Sequence, residues 1–248
     1  MSTATLTRTS TRTPMRASRK QSLAAGIFYL ATFVSIPTLG LYANVRGDNF
    51  LLGSGPDKPV YIGAVLEIIV ALAGIGTAIS LFPVLKKQNE SLAIGFVATR
   101  TLEAAGIVVC AATLLSIVSL RQSGVGADAA VTGQALSSMY ERVFTLSQST
   151  MPGINALLLG TLLYRSRLVP RVLPTLGLIG APLLLVSTGL ALFGVIGTTS
   201  PVAFLGAVPI ALWEFSLGLW LTFKGFKPSP ITDEFDAEVA AKSAAFAR

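Results

Sequence analysis

Six times between Leu23 and Phe223 the chain turns apolar for about the length a helix needs to cross a bilayer, and this repetition constrains the fold more than any single motif. The runs are Leu23 to Ala43, Val60 to Leu85, Leu92 to Leu120, Val143 to Tyr164, Leu173 to Ile196 and Val202 to Phe223. Hydrocarbon offers no water to backbone N–H and C=O groups, so such runs must close their hydrogen bonds internally as α-helices. The predicted fold is therefore all-α, a polytopic membrane protein built as a bundle of six transmembrane helices. Composition agrees, since the mean hydropathy is +0.69 and 12% of residues are charged, against about 25% in a soluble domain.

Residues 1–20 carry Arg8, Arg12, Arg16, Arg19 and Lys20 with no acid, in a Ser/Thr-rich setting that cannot bury a core. They read as a disordered basic N-terminal tail. A secretory signal peptide shares this charge order, and a transit peptide is a third reading. The apolar run that follows is longer than a signal-peptide core, which favours an uncleaved first helix. Residues 21–227 then form the six-helix transmembrane domain, and residues 228–248 a polar C-terminal tail with an amphipathic helix from Asp233 to Arg248.

Six crossings return the chain to the side on which it began. Twelve Lys and Arg flank the spans on that side: the five of the tail, Lys86, Lys87, Arg165, Arg167, Arg171, Lys224 and Lys227. The other side has Arg46, Lys58, Arg121 and Arg142. The positive-inside rule places both termini in the cytoplasm of a cell-membrane protein. Tyr42, Tyr61 and Tyr140 are then expected at the outer boundary, and Phe82, Tyr164 and Trp220 at the inner one. The net charge of +7 does not imply nucleic acid as a partner, because the bases gather at span ends instead of forming a stripe with aromatics. The partner implied is the lipid bilayer.

Within these runs sit charges that need a partner, water or a task, since one at mid-membrane costs about 2.5–3.5 kcal/mol on insertion scales. The stretch Ser91 to Gly106 holds Arg100 and Glu103; Glu67 and Glu214 lie in the second and sixth runs. At helical spacing each carboxylate shares a face with small residues: Glu103 with Gly95, Thr99 and Gly106, Glu214 with Ala207, Ala211 and Gly218, Glu67 with Gly63, Ala71 and Gly74. Such faces let helices pack closely, so the acids are expected to point at neighbouring helices. Arg100 and Glu103 fall about 12–17 Å from the cytoplasmic start of their span and Glu214 about 15 Å from the cytoplasmic end of its own, so they can meet at one level. Glu67 lies nearer the outer face. The fourth run is polar in its first half, with Gln148, Thr150, Pro152, Gly153 and Asn155 at membrane depth, and is expected to break at Pro152–Gly153 and present a solute-facing surface.

Four segments, Leu81 to Leu85 (LFPVL), the Arg100/Glu103 stretch, Leu162 to Leu185 and Pro209 to Lys227, together resemble a prokaryotic membrane family catalogued as domain of unknown function 4386. The resemblance covers most of residues 20–227, and Arg100, Glu103 and Glu214 match its pattern; the polar half of the fourth run does not. It implies a multi-pass bacterial membrane protein and supplies no activity.

An enzyme is the least favoured class. The chain has no histidine, no Asp in any span and one cysteine, so the usual intramembrane nucleophile, paired-aspartate and metal sites cannot be assembled. No catalytic residue, metal or cofactor is assigned, and Cys110 reads as a small packing residue. Two readings remain. Three carboxylates against one guanidinium suit a proton-coupled carrier of a small solute or cation. A static Arg/Glu brace in an accessory or scaffold membrane protein explains the same residues. A cavity reaching Glu103 or Glu214 favours the carrier, and a dry bundle the scaffold.

Overall fold

The computed structural model describes residues 15–47, 50–51, 55–124, 129–197 and 200–246. Every regular element among them is helical: α1 (Ala17–Ala31), a 3-10 turn (Thr32–Ser35), α2 (Thr38–Leu41), α3 (Lys58–Leu85), α4 (Glu90–Gln122), α5 (Ala130–Leu146), α6 (Met151–Ser166), α7 (Val172–Leu192), α8 (Pro201–Phe223) and α9 (Pro230–Phe246). Five stretches are long and apolar enough to cross a membrane: Ala17–Leu41, α3, α4, α7 and α8. Their outward faces are apolar, as Val65, Leu72 and Ile79 on α3 and Leu183 and Val186 on α7 illustrate. Apolar side chains on a bundle's outside are what lipid solvates.

The helices close into a ring. α1 packs on α3, α3 on α4, α4 on α6, α6 on α7, α7 on α8, and α8 returns to α1. Small residues set these crossings, as expected where lipid offers no hydrophobic drive and close backbone approach supplies the attraction. A side chain at Gly26 of α1 would meet Thr222 and the Gly218 carbonyl of α8, and one at Gly177 of α7 would meet the Trp213 ring of α8.

The fourth run is divided differently from the expectation. α5 begins at Ala130, ahead of the Val143 start of the fourth run, and the helix breaks at Ser147–Thr150, upstream of Pro152–Gly153. Pro152 instead occupies the first turn of α6, where its missing N–H removes no intrahelical bond. Polar side chains stitch the break: Thr150 Oγ1 donates to the Thr145 carbonyl (2.7 Å) and Thr188 Oγ1 of α7 to the Ser149 carbonyl (3.2 Å). The first run is interrupted as well, by the 3-10 turn and Pro37.

The tail boundaries also shift. Residues 1–14 of the expected N-terminal tail lie outside the described residues, and residues 17–20 belong to α1. There Arg19 donates to the Leu221 and Thr222 carbonyls at the end of α8 (2.8 and 2.5 Å), satisfying backbone acceptors a helix terminus leaves open. The C-terminal amphipathic helix is α9, which starts three residues before Asp233. It docks through buried Phe235 and through Asp236, which accepts from the backbone and hydroxyl of Ser18. Lys87, in the α3–α4 turn, pairs with Glu238 and Glu234 of α9 at 2.6 and 3.0 Å.

Candidate functional site

A small apolar cluster of Ala71, Ala104 and Ile107 lies beside the charged residues, and two large ones occupy the ring's interior and act as plugs. One, around Tyr29, Leu81, Phe96, Leu159 and Trp213, fills the end near the α3–α4 turn. The other, around Val45, Phe50, Val60, Leu114 and Tyr140, fills the opposite end. Tyr42 and Tyr140 belong to this second plug and are buried, so they do not form the boundary belt expected of them; Tyr61 is exposed. A polar layer separates the plugs.

Arg100 is the centre of that layer and is 3% exposed. Its Nη1 donates to Glu103 Oε2 at 3.0 Å, one turn along α4, and its Nη2 donates to Glu214 Oε1 of α8 at 2.5 Å. The guanidinium carbon lies 5.2 Å from the Tyr29 ring centroid and 5.8 Å from that of Phe96, within the range of cation–π attraction. Asn155, fully buried on α6, donates from Nδ2 to Glu103 Oε2 (2.7 Å) and accepts from Thr99 Oγ1 at 2.5 Å. One network thus joins α4, α6 and α8. A planar fork that reaches two carboxylates at once is a geometry lysine cannot reproduce.

Glu67 stands apart. It is 3% exposed on α3, and its Oε2 has no hydrogen-bond partner among the described residues. One turn outward on the same face, Gly63 lies against the Tyr42 ring. The small-residue faces are partly engaged: Gly106 packs on Ser147 at the α5–α6 break, Gly218 on Tyr29 and Leu30, while Gly74 has open space beside it.

That space belongs to a cavity of about 230 Å³ lined by Arg100, Glu103 and Glu214, by Gly74 and Ala71 of α3, and by Thr32 and Ser35 of the interrupted first run. A second cavity of about 520 Å³ lies between the α5–α6 break and the α7–α8 pair. Glu214, Gln148 and Ala211 line both. The half-buried Glu214 carboxylate therefore stands at the wall between them, 14% of its side chain exposed.

The polar residues of the fourth run have separate placements. Gln148 lines both cavities and Pro152 the larger one; Gly153 packs against Leu185 and Ala181 of α7; Asn155 binds Glu103; Thr150 secures the break. Sequence reasoning did not find Thr32, Ser35 or Tyr29. The only signal for the first two was a Thr/Ser/Pro cluster, TFVSIPT, within an apolar run. Tyr29 has no local signal, because only the packing of α1 against its neighbours brings it to Arg100 of α4.

Fold and site together define an all-helical membrane protein with a charged layer enclosed between apolar plugs. Over residues 24–225 the chain matches the family described as Domain of unknown function (DUF4386), and it belongs to that family. No curated protein and no solved structure matches it.

Proposed function

We propose that the chain is a multi-pass cell-membrane protein that acts as a proton-coupled carrier of a small solute or cation, with Glu103 and Glu214 as the groups that exchange the proton. The observation that carries this reading is Glu214 standing between two cavities while sharing one guanidinium with Glu103. Arg100 balances one of the two acids, so the site can take up one further positive charge, as a proton or as a cation. A static brace needs no cavity on either side.

The interrupted helices give independent support. The first and fourth runs are broken at Thr32–Pro37 and Ser147–Thr150, and each is the first helix of its half. The acids in contact with Arg100 sit on the third helix of each half. Inverted halves with broken helices beside a mid-membrane site are a recurring carrier architecture. In this reading α5 and α6 form one crossing between them. They run antiparallel along α4, with Tyr140 beside Cys110, Ser147 beside Gly106 and Asn155 beside Glu103 and Thr99. Six crossings and the twelve-to-four basic asymmetry then put both termini in the cytoplasm. An enzyme reporter active only outside the cytoplasm, fused after Arg248, should give no signal; a strong one overturns the orientation.

The functional test compares wild type with Glu103→Gln and Glu214→Gln in liposomes. Both near-isosteric variants should fold and lose proton uptake between mildly acid and neutral pH. Equal proton uptake in all three proteins removes the support for a carrier.

A further inference from the structure

The larger cavity has a distinct chemical character. Its walls are mostly apolar, with Leu184, Ala191, Ala207 and Ile210, and three aromatic side chains, Tyr140, Phe144 and Phe204. Leu39 and Phe204, both lining it, are 80% and 69% exposed, so its mouth carries apolar side chains on the outside of the bundle. At about 520 Å³ it falls within the range of roughly 300–1,000 Å³ that holds drug-sized ligands.

The charges on its lining are arranged unequally. Arg46 is matched by Glu141 at 3.6 Å. Glu214 shares Arg100 with Glu103, so that with both carboxylates ionised this end of the cavity has one unmatched negative charge. Among the described residues, the other titratable group beside the trio is Tyr29 of α1. α7 contains no titratable residue, and those of α6, Tyr164 and Arg165, lie in its last turn.

An anion, including a lipid phosphate, would meet Glu214 with like charge. A small inorganic cation needs several convergent oxygen ligands to replace its water; the lining has hydroxyls, but those of Thr145, Ser187 and Thr188 are turned to backbone carbonyls, and most of the wall is apolar. A cation with an apolar body satisfies both conditions, and aromatic rings attract its charge as it passes.

We infer that the larger cavity is a binding site for a lipophilic organic monocation, an amine or quaternary ammonium whose charge is met by Glu214 and whose apolar body lies among α5, α7 and α8. The inference names the ligand class of the carrier reading and rests on it for the movement of that ligand, though not for its binding.

The probes are tetraphenylphosphonium and tetraphenylborate, which share a shape and differ in the sign of charge, measured by equilibrium dialysis on the purified full-length chain in neutral detergent. Saturable binding of the cation is expected, with no saturable binding of the borate. Glu214→Gln should weaken cation binding at least tenfold. Ala207→Phe, which fills the apolar wall without touching the Arg100 network, should weaken it as much while leaving thermal stability near wild type, so loss of fold does not imitate loss of the site. Glu67→Gln should bind as wild type. Unsaturable partition, equal binding of both probes, or indifference to Ala207→Phe overturns the inference. Cation binding with no proton released upholds the site and removes the coupling; proton uptake that depends on Glu214 without cation binding upholds the coupling and overturns the ligand class.

Discussion

Replacing Arg100 by Met keeps the unbranched stem and removes the one cation from between Glu103 and Glu214. In the native chain the guanidinium is 3% exposed and holds both acids at 3.0 and 2.5 Å. Removing one partner from a buried charged set costs about 3–5 kcal/mol, because the remaining charge is left desolvated without compensation. Contacts with the Tyr29 and Phe96 rings, worth about 0.5–2 kcal/mol for a desolvated cation, fall inside that figure. Neutralising the whole set should be milder than breaking it, so Arg100→Met combined with Glu103→Gln and Glu214→Gln should recover at least ~2 kcal/mol of the loss. Arg100→Lys should lie between wild type and Arg100→Met, since one ammonium cannot span both acids with the same geometry. The measurement is reversible unfolding in mixed micelles with a rising fraction of denaturing detergent, followed by the fluorescence of Trp213 and Trp220, both on α8. Arg100→Met within ~1 kcal/mol of wild type, or a triple variant no better than the single one, would refute the view that Arg100 is held by charge in a desolvated layer.

Asn155→Ala removes a hydrogen bond to a carboxylate and one from Thr99; a loss of about 2–4 kcal/mol is expected in the same assay, and a loss under ~1 kcal/mol would mean water replaces the amide. Gly26→Leu drives a side chain into Thr222 and should cost about 1–3 kcal/mol or more, whereas Gly74→Leu enters the smaller cavity and should be nearly neutral in stability; equal costs would contradict the packing at one of the two positions. At the cytoplasm-facing end of the proposed topology, Lys242 and Lys87 beside Glu238 hold its carboxyl down, at about 2, below the ordinary 4.5. Lys242 lies on α9 itself, so only the Lys87 share of this depression bears on docking; because the folded-state value is depressed, that share is complete above about pH 4.5 and is lost as pH falls through about 2. Spin-label distances between α9 and the α3–α4 turn should therefore widen between pH 5 and 2, and Lys87→Ala should widen them already at neutral pH; distances unchanged in both cases would show that Phe235 and Asp236 hold the helix without it.

Much of the fold follows from chain-local physics. Apolar runs of bilayer length specify helices because hydrocarbon permits little else, and the buried charges announce a polar layer because their insertion is costly. The depth of Arg100, Glu103 and Glu214 could be read by counting residues at 1.5 Å each along three runs. Local signals also misled. Pro152–Gly153 resembles a helix break, yet proline is at ease in a first helical turn, and the interruption moved upstream to Ser147–Thr150, where Thr188 of α7 supplies a donor to a carbonyl. Tyr42 and Tyr140 have the spacing of a boundary belt, but α4 and α5 pack close enough to bury Tyr140, and Tyr42 folds onto Gly63.

What the sequence determined by itself was the helical, apolar character of the runs and the presence of charges within them, because both depend on residues near one another along the chain. Which charges meet was decided by tertiary structure. Arg100 reaches Glu214 across 114 positions and Asn155 reaches Glu103 across 52, while Glu67, also a buried glutamate, pairs with nothing among the described residues. The cavities on either side of Glu214 are still less local, since each is the space left where several helices fail to touch, and no single segment encodes a space it only partly bounds.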